Sequence, residues 1–280
     1  MPTDRYAVFG QPIKHSKSPR IHALFAQQTQ QDIDYQAEEV SAVDFNSAVA
    51  CFFNKGGKGL NCTVPLKELA WEYADQLSER AQRAKAVNTL WIDQQHKVQG
   101  DNTDGCGLLN DLCGNHQLKL TGQRILILGA GGATRGIIAP LLAEAPADIV
   151  ISNRTLSKAE AIVGEFSSLG AISSCAYADL AGQRFHLIIN ATSASLSADL
   201  PPLPARILAE HAYCYDLAYA NTATAFVAWG KQQGAVKSLD GLGMLVEQAA
   251  EAFHLWRGVR PDTQTVIALL NRERELSPAN

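Results

Sequence analysis

The sequence Arg124-Ile-Leu-Ile-Leu-Gly129-Ala-Gly131-Gly132-Ala133 decides the fold of this chain. A short apolar run leads directly into a cluster of glycines, and a segment of helical composition follows. This order is typical of a buried parallel strand that turns tightly into a helix, whose N-terminus binds the pyrophosphate of a dinucleotide. We therefore predict a cofactor-binding loop that comprises Gly129, Ala130, Gly131, Gly132 and Ala133.

The glycine cluster departs from the usual fingerprint at its third position, which is Thr134. A tight turn that binds nothing also fits such a cluster, so the residues after the next strand carry more weight. NAD sites place an acid there, about twenty residues past the glycines, whereas NADP sites replace the acid with a cation. This chain has Asn153-Arg154-Thr155 at that place, with Lys158 one helical turn later. Because an arginine fork binds a phosphate with two hydrogen bonds, the sequence predicts NADP.

Segments with strand and helix character alternate along the chain, which predicts an α/β fold with mainly parallel sheets covered by helices. Three later strands, at 125–128, 148–151 and 187–190, are almost continuously apolar. Such strands are typical of a doubly wound domain, in which they are buried on both faces. From Asp240 onward, apolar residues at helical spacing predict a long helix to about Trp256.

Composition limits the kinds of partner. The chain has 280 residues and a formal net charge of −4, which gives no reason to expect nucleic acid or an anionic membrane as a partner. No apolar run approaches the roughly 18 residues of a membrane span, and no signal peptide is recognised. The six cysteines and seven histidines have no metal-binding spacing. We therefore expect reduced thiols, no metal and a cytoplasmic location.

Polar residues follow several predicted strands of the N-terminal half, where open α/β sheets bind their ligands. Ser16-Lys17-Ser18-Pro19 leads into a helix with Ser18 as the expected N-cap, and its two hydroxyls form a corner suited to a carboxylate. Lys67 falls in the first turn of a helix, where the dipole disfavours a cation, so a role in chemistry is one explanation. Asn88 and Asp104 follow apolar strands. On local sequence alone, each of these residues also fits an ordinary cap, surface or turn role.

Together these segments resemble the shikimate dehydrogenases, NADP-dependent enzymes of aromatic amino acid synthesis. The matching segments occur in the family's order and cover almost the whole chain. They are His15-Ser-Lys-Ser-Pro19, Asn61-Cys-Thr-Val-Pro-Leu-Lys67, Ala86-Val-Asn-Thr89, Gly100-Asp-Asn-Thr-Asp-Gly105, Gly129-Ala-Gly-Gly-Ala133, Asn153-Arg-Thr155, Asn190-Ala-Thr-Ser193 and Asp240-Gly-Leu-Gly-Met-Leu-Val-Glu-Gln248-Ala-Ala.

The resemblance implies reversible interconversion of shikimate and dehydroshikimate, with Lys67 and Asp104 as the catalytic pair. The substrate-binding residues that it implies are Ser16, Ser18, Thr63, Asn88, Tyr219 and Gln248. Besides the glycine loop, the cofactor-binding residues that it implies are Asn153, Arg154, Thr155, Lys158, Thr192, Gly241 and Met244.

The resemblance also implies a domain organisation. Residues 1–103 and 241–280 would form an α/β substrate domain completed by C-terminal helices, into which a Rossmann-type, doubly wound NADP domain of residues 104–240 is inserted. The partner implied is a small-molecule substrate, and the protein is expected to be a monomer or a homodimer.

Three segments depart from the family pattern. Cys62 replaces a valine beside the site, residues 193–196 replace a glycine-containing turn, and residues 220–225 lack a proline often found near the nicotinamide. A broader quinate/shikimate dehydrogenase, a methyltransferase and a non-catalytic NADP-binding homologue remain alternatives. Arg154 argues against the first, because such relatives often carry an acid near that position, and the presence of both Lys67 and Asp104 argues against the last.

The catalytic role of Lys67 has two forms. A lysine whose pKa is lowered exchanges a proton with the alkoxide, whereas a permanently charged lysine stabilises the developing negative charge. The carboxylate of Asp104 favours the charged form, which opposes a lowered pKa. The sequence leaves both roles open.

Overall fold

The computed structural model describes residues 3–192, 194 and 199–276 of the chain. These residues form two compact units, each built around its own sheet. The first unit comprises residues up to Leu108 together with Leu245–Ala268. The second comprises Leu109–Met244 together with residues from Leu269 onward. The alternation of elements predicted an α/β fold, and the resemblance implied two domains; both expectations are confirmed.

The limits of the two units differ from the domain limits expected at residues 103 and 240. Asp104 lies in the first unit, where its carboxylate accepts hydrogen bonds from Lys67 and Asn88. The end of the last helix lies in the second unit, where Arg274 forms an ion pair with Asp240. Local sequence does not reveal these ion pairs, because the partners lie 37 and 34 residues apart.

The first unit is built on a mixed sheet of six strands. The elements up to its end in chain order are β1 (Asp4–Gly10), α1 (Ser18–Thr29), β2 (Ile33–Glu39), α2 (Phe45–Asn54), β3 (Gly57–Cys62), α3 (Lys67–Tyr73), β4 (Gln76–Leu77), α4 (Glu79–Ala84), β5 (Thr89–Ile92), β6 (Val98–Asp101) and α5 (Asp104–Leu109). The strand order is β2-β1-β3-β5-β6-β4. Strand β1 is parallel to both of its neighbours, whereas β5 is antiparallel to β3 and β6, so this sheet is less parallel than predicted.

The antiparallel direction of β5 gathers polar residues at one edge of this sheet. In the register of the sheet, Asn61 pairs with Thr89, and Thr89 pairs with Asp101. The carboxyl end of β3 therefore lies beside the start of β5 and the end of β6. The residues that adjoin these strand ends include Lys67, Asn88 and Asp104.

A stack of aromatic rings packs the helix that contains Phe253 and Trp256 against the rest of the first unit. The imidazole of His22 lies 4.0 Å from the ring of Tyr35 with only 6° between the planes. Phe253 and Trp256 contact the same imidazole at centroid distances of 6.1 and 5.6 Å. Because apolar burial is the main favourable term in folding, this cluster fixes the helix that also carries Gln248.

The second unit is a doubly wound sheet of six parallel strands. The remaining elements are a π-helical turn (Asn110–Asn115), β7 (Arg124–Leu128), α6 (Gly132–Ala143), β8 (Asp148–Ser152), α7 (Leu156–Phe166), β9 (Ile172–Cys175), β10 (Phe185–Asn190), β11 (Leu208–Asp216), α8 (Ala225–Gln232), β12 (Lys237–Leu239), α9 (Leu242–Arg257) and α10 (Thr263–Leu276), with two short 3₁₀ turns before and after β9. Helices α9 and α10 contribute residues to both units.

The strand order of the second sheet is β12-β11-β10-β7-β8-β9, and every neighbouring pair is parallel. Side chains at 125–128, 149–151 and 187–189 are at most 3% exposed. The prediction of strands buried on both faces is therefore confirmed. Within the part of the chain that is described, none of the helices has the length and apolar character that crossing a membrane requires.

Candidate functional site

Lys67 and Asp104 form an ion pair at the polar edge of the first sheet. The Nζ atom of Lys67 lies 2.5 Å from Oδ2 of Asp104, and the two side chains are 17% and 6% exposed. Each residue is the first of its helix, α3 for the lysine and α5 for the aspartate. The dipole of α5 favours a carboxylate at that place, whereas the dipole of α3 disfavours an ammonium. The carboxylate therefore offsets an unfavourable position and keeps the ammonium at the edge of the site.

Asn88 connects the ion pair to helix α9. Its Nδ2 atom donates to Oδ1 of Asp104 at 2.8 Å and to Oε1 of Gln248 at 3.3 Å. Its Oδ1 atom accepts the backbone N–H of Thr103 at 2.9 Å. The structure thus brings four of the predicted residues, Lys67, Asn88, Asp104 and Gln248, into one hydrogen-bonded group. Such a group offers an ammonium, a carboxylate and two amides to a polyhydroxylated ligand.

Asn61 holds Asn88 in place through a hydrogen bond, and the sequence analysis assigned Asn61 no role. The hydroxyl of Tyr35 donates to Oδ1 of Asn61 at 2.7 Å. The Nδ2 atom of Asn61 donates to the backbone oxygen of Asn88 at 3.0 Å and to Oγ1 of Thr89 at 3.1 Å. The available signal was an asparagine between Leu60 and Cys62 near the end of the strand, since a buried amide there requires hydrogen-bond partners.

Ser16 lies in the loop between β1 and α1 and Ser18 at the start of α1, but the predicted cap is wrong. The N-cap residue is Lys17, and Ser18 is already the first helical residue. The hydroxyl of Ser16 accepts the backbone N–H of Ser18 at 3.3 Å, so Ser16 satisfies a free donor of this helix end. The helix starts one residue earlier than the Ser-Pro pattern predicts, because Pro19 is also tolerated at the second helical position.

Thr63 lies just past β3, beside the end of β1. Its backbone N–H donates to the oxygen of Phe9 at 2.9 Å. A Cβ atom added at Gly10 would overlap Cγ2 of Thr63, so glycine permits this close approach. Since β1 and β3 are parallel neighbours, Thr63 and the loop with Ser16 and Ser18 extend from the same edge of the sheet.

Cys62 does not add a reactive thiol to the site. The residue is 2% exposed. Burial raises the pKa of the Cys62 thiol, and the nearby charge of Lys67 opposes this shift only in part. Since the thiolate is the nucleophile and the metal ligand, this buried thiol acts as a small apolar group. Among the described residues, no three histidine, cysteine, aspartate or glutamate side chains are grouped so as to hold a metal ion.

The glycine loop follows β7 in the second unit. Gly129 has a φ of +107°, and an added Cβ would lie 3.0 Å from the backbone oxygen of Ala191, so this position requires glycine. Gly131 is the N-cap of α6, and a Cβ there or at Gly132 would meet no atom of the described residues within 4 Å. The helix N-terminus is therefore open to a ligand.

Thr134 explains the departure from the glycine fingerprint. Its side chain is fully buried, and its hydroxyl donates to the backbone oxygen of Gly129 at 3.0 Å. The hydroxyl thus adds a hydrogen bond across the turn, which the glycine or alanine usual at this position could not form. Ala130 and Ala133 lie within the same strand-to-helix connection, Ala133 as the second residue of α6.

Thr192 lies beside the glycine loop, because β10 and β7 are neighbours. Its hydroxyl donates to Oδ1 of Asn190 at 2.7 Å, and its methyl group would lie 3.2 Å from a Cβ at Gly129. The chain runs from β7 to β8 on one side and returns to β10 on the other, so this is the point where the strand order reverses. Doubly wound sheets bind ligands at such a point. Most of the unusual turn at 193–196 lies outside the described residues.

Asn153, Arg154, Thr155 and Lys158 lie at the end of β8, the other neighbour of β7. The Nδ2 atom of Asn153 donates to the oxygen of Thr155, the N-cap residue of α7, at 2.9 Å. Arg154 and Lys158 are exposed, and neither forms an ion pair with another described residue. Two cations therefore extend from the carboxyl edge of the sheet with their hydrogen-bond donors available to an anion.

Gly241, Met244 and Tyr219 also belong to the second unit. An added Cβ at Gly241 would overlap the backbone oxygen of Leu217, so glycine is needed where these backbones meet. The backbone N–H of Met244 donates to the hydroxyl of Tyr215 at 3.2 Å. Tyr219 lies beyond β11 in this unit, whereas the other predicted substrate-binding residues belong to the first unit.

Three segments of the chain match descriptions of one protein family. Residues 8–90 match the shikimate dehydrogenase substrate binding domain. Residues 112–198 match the shikimate / quinate 5-dehydrogenase family, and residues 241–270 match the shikimate 5'-dehydrogenase C-terminal domain.

Curated sequences and solved structures are similar over nearly the whole chain. The sequence is 63% identical over 271 residues to the shikimate dehydrogenase (NADP(+)) of Methylococcus capsulatus, with 97% of each chain covered. The crystal structure of an Ael1 enzyme from Pseudomonas putida matches with a TM-score of 0.90 at 50% identity, over 96% of this chain and 98% of that one. The shikimate 5-dehydrogenase of Thermus thermophilus, solved in complex with NADP(H) and shikimate, matches with a TM-score of 0.85 at 33% identity, over 97% and 100% of the two chains.

Proposed function

The chain belongs to the shikimate dehydrogenase family, and from that premise we propose that it catalyses the reversible, NADP-dependent reduction of dehydroshikimate to shikimate. This reaction is a step of aromatic amino acid synthesis. The observation that carries the proposal is the ion pair of Lys67 and Asp104, which is hydrogen-bonded to the amide of Asn88. A ketone reduction requires a proton donor at the oxygen, and this group provides one.

Residues of the first unit transfer the proton to and from the substrate oxygen. NADPH, when bound, supplies the hydride to the ketone carbon. The ammonium of Lys67 donates a hydrogen bond to the ketone oxygen and gives its proton to the alkoxide that forms there. Asp104 holds the ammonium through Oδ2 and accepts a substrate hydroxyl. In the oxidative direction the neutral amine takes the hydroxyl proton back.

The remaining residues of the first unit bind and orient the substrate. The hydroxyls of Ser16 and Ser18 bind the carboxylate of shikimate beside the N-terminus of α1, where the helix dipole favours an anion. Thr63, Asn88 and Gln248 bind the ring hydroxyls. Residue Tyr219 of the second unit completes the substrate-binding set.

The second unit binds the cofactor. The open N-terminus of α6, with Gly129 through Ala133, binds the pyrophosphate of NADP. Arg154 binds the extra phosphate of the adenosine ribose, assisted by Lys158, Asn153 and Thr155. The other contacts of the cofactor come from Thr192, Gly241 and Met244. The first unit is thus the substrate domain and the second is the NADP domain.

Replacing Arg154 with alanine is expected to weaken NADP binding by about 10- to 100-fold, because a charge-assisted, bidentate phosphate contact is lost. NAD lacks this phosphate, so its affinity should change little. Isothermal titration with both cofactors measures the two dissociation constants. Lys231→Ala, which removes an exposed cation of α8, is the control. Equal losses for NADP and NAD in the Arg154 variant would contradict the assignment.

The activity itself is tested by absorbance of NADPH with shikimate as substrate. We expect NADPH to form with shikimate and NADP, and at much lower rates with quinate or with NAD. Comparable rates with quinate would favour a broader quinate/shikimate dehydrogenase. No reaction by a protein that binds NADP would favour a non-catalytic homologue.

We also propose a cytoplasmic enzyme that acts as a monomer or homodimer. All six cysteines are free thiols, as is usual in a reducing compartment. Light scattering on the purified protein measures the molar mass directly and distinguishes one chain from two.

A further inference from the structure

Arg80 joins two segments that carry residues of the candidate site. From α4, its Nε and Nη2 atoms donate to the two carboxylate oxygens of Asp101, each at 2.7 Å. The Nη2 atom also donates to Oε1 of Glu251 on α9 at 3.1 Å. Such a bidentate pair fixes orientation as well as distance, which a single charge contact does not.

The Asp101 end of this contact fixes the loop that leads to Asp104. Asp101 is the last residue of β6, and its side chain is 5% exposed. Its Oδ1 atom also accepts the backbone N–H of Asn102 at 2.7 Å. The side-chain oxygen of Asn102 in turn accepts the backbone N–H of Asp104 at 3.1 Å. A continuous chain of hydrogen bonds therefore runs from the guanidinium to the start of α5.

The Glu251 end fixes the helix that presents Gln248. The two residues lie three positions apart on α9, on neighbouring turns of one face. The second carboxylate oxygen of Glu251 accepts a hydrogen bond from Arg260 at 2.7 Å, so the carboxylate is held from both sides. Arg80 thus bridges segments that are 171 residues apart in sequence.

The guanidinium of Arg80 stays protonated. Burial by itself disfavours the charged guanidinium, but the hydrogen bonds and charges of Asp101 and Glu251 outweigh burial and raise the pKa of Arg80. The side chain is 32% exposed, which is more than that of either carboxylate. Because the pair is partly exposed, its contribution to the free energy of unfolding is modest, and its main effect is on the geometry of the segments that it joins.

We propose that Arg80 is a positioning residue for substrate binding, and this proposal rests on the proposed function. Its fork holds Asp104 and Gln248 at the separation that the hydroxyls of shikimate require. Gln248 of α9 also contacts Asn88 and, in the loop after β6, Thr103, but at the longer distances of 3.3 and 3.4 Å. Misplacement of a binding group by about 1 Å costs up to about 100-fold in rate.

The test compares Arg80→Gln with Arg80→Lys and with the control Arg83→Gln. Arg83 lies on the same helix, and its ion-pair partner among the residues that the structure describes is the exposed Glu79 one turn away. For Arg80→Gln we expect kcat/KM for shikimate to fall about 10- to 100-fold, mainly through KM. The dissociation constant of NADPH should stay within about twofold, because the proposed cofactor residues belong to the second unit. Arg80→Lys should recover part of the loss, and Arg83→Gln should show none.

A second variant protects the test against loss of folding. Glu251→Gln keeps the pair of Arg80 with Asp101 and removes the negative charge on α9 that Arg80 and Arg260 both contact. It should raise KM for shikimate, and combining it with Arg80→Gln should cost less than the sum of the two. A merely structural role would lower the melting temperature and leave the kinetic constants of the folded enzyme within about twofold, which would overturn the proposal. A native protein that forms no NADPH from shikimate would instead overturn the proposed function.

Discussion

Replacing Lys67 with alanine is expected to lower kcat for shikimate oxidation by about 10²–10⁴-fold, with a much smaller change in KM. The ammonium acts on the reacting oxygen, where its interaction is strongest in the transition state, so its loss affects turnover more than substrate binding. The variant also leaves the carboxylate of Asp104, which is 6% exposed, without its charged partner. Initial rates over a range of shikimate concentrations separate kcat from KM.

The control for this prediction is Lys58→Ala, which removes an exposed lysine from β3 of the same sheet. We expect native kcat and KM for this variant. A Lys67 variant that folds, binds NADP and turns over shikimate at close to the native rate would remove this lysine from the mechanism. The proton donor would then have to be sought elsewhere.

Acidification is expected to destabilise the first unit through His22. The imidazole is fully buried, and neither ring nitrogen has a hydrogen-bond partner in the part of the chain that the structure describes. Burial lowers the pKa of His22 from 6.5 to about 3. The unfolded state therefore binds a proton below pH 6.5 that the folded state does not bind until about pH 3. Stability from this group is present above pH 6.5 and falls by about 1.4 kcal/mol per pH unit within that window.

The variant His22→Phe keeps an aromatic ring beside Tyr35 and removes the titrating group. We expect the free energy of unfolding of the variant, relative to the native protein, to rise by about 2 kcal/mol between pH 6.5 and 4.5. Urea unfolding followed by tryptophan fluorescence measures this difference, in which the contributions of the carboxylates cancel. The matched control replaces the exposed His254 with glutamine. A difference for His22→Phe that does not change with pH would contradict the lowered pKa of His22.

The second unit could be predicted in detail because its signals are local. The apolar runs ending at Leu128 and Asn190 and the glycines after Leu128 specify buried parallel strands and a tight turn within a few residues. The structure confirms the predicted strands and the parallel sheet, whereas the two edge strands, β9 and β12, and the role of Thr134 in closing the turn were not predicted. A buried hydroxyl at a glycine position indicates a hydrogen bond but does not identify the acceptor.

The first unit could be predicted less completely because its sheet is mixed. Residues 98–101 are too few and too polar for a strand to be predicted there. Their antiparallel pairing with β5 nevertheless brings Asp101 beside Thr89. The Ser-Pro pattern placed the N-cap of α1 one residue late. Sequence motifs identified Lys67 and Asp104 as candidates, but their distance of 2.5 Å depends on a pairing across 37 residues.

By itself the sequence determined which residue types this protein brings to its chemistry: the glycine turn, the cation after the second strand of the nucleotide unit, and the lysine at a helix start. These follow from propensity, hydrophobic period and helix dipole, which act over a few residues. Tertiary structure alone decided which of the polar residues share one hydrogen-bonded group and that Arg80 bridges Asp101 and Glu251. It also decided that the ring nitrogens of His22 are buried without a hydrogen-bond partner among the described residues. Such contacts join segments up to 171 residues apart, and packing rather than local preference selects them.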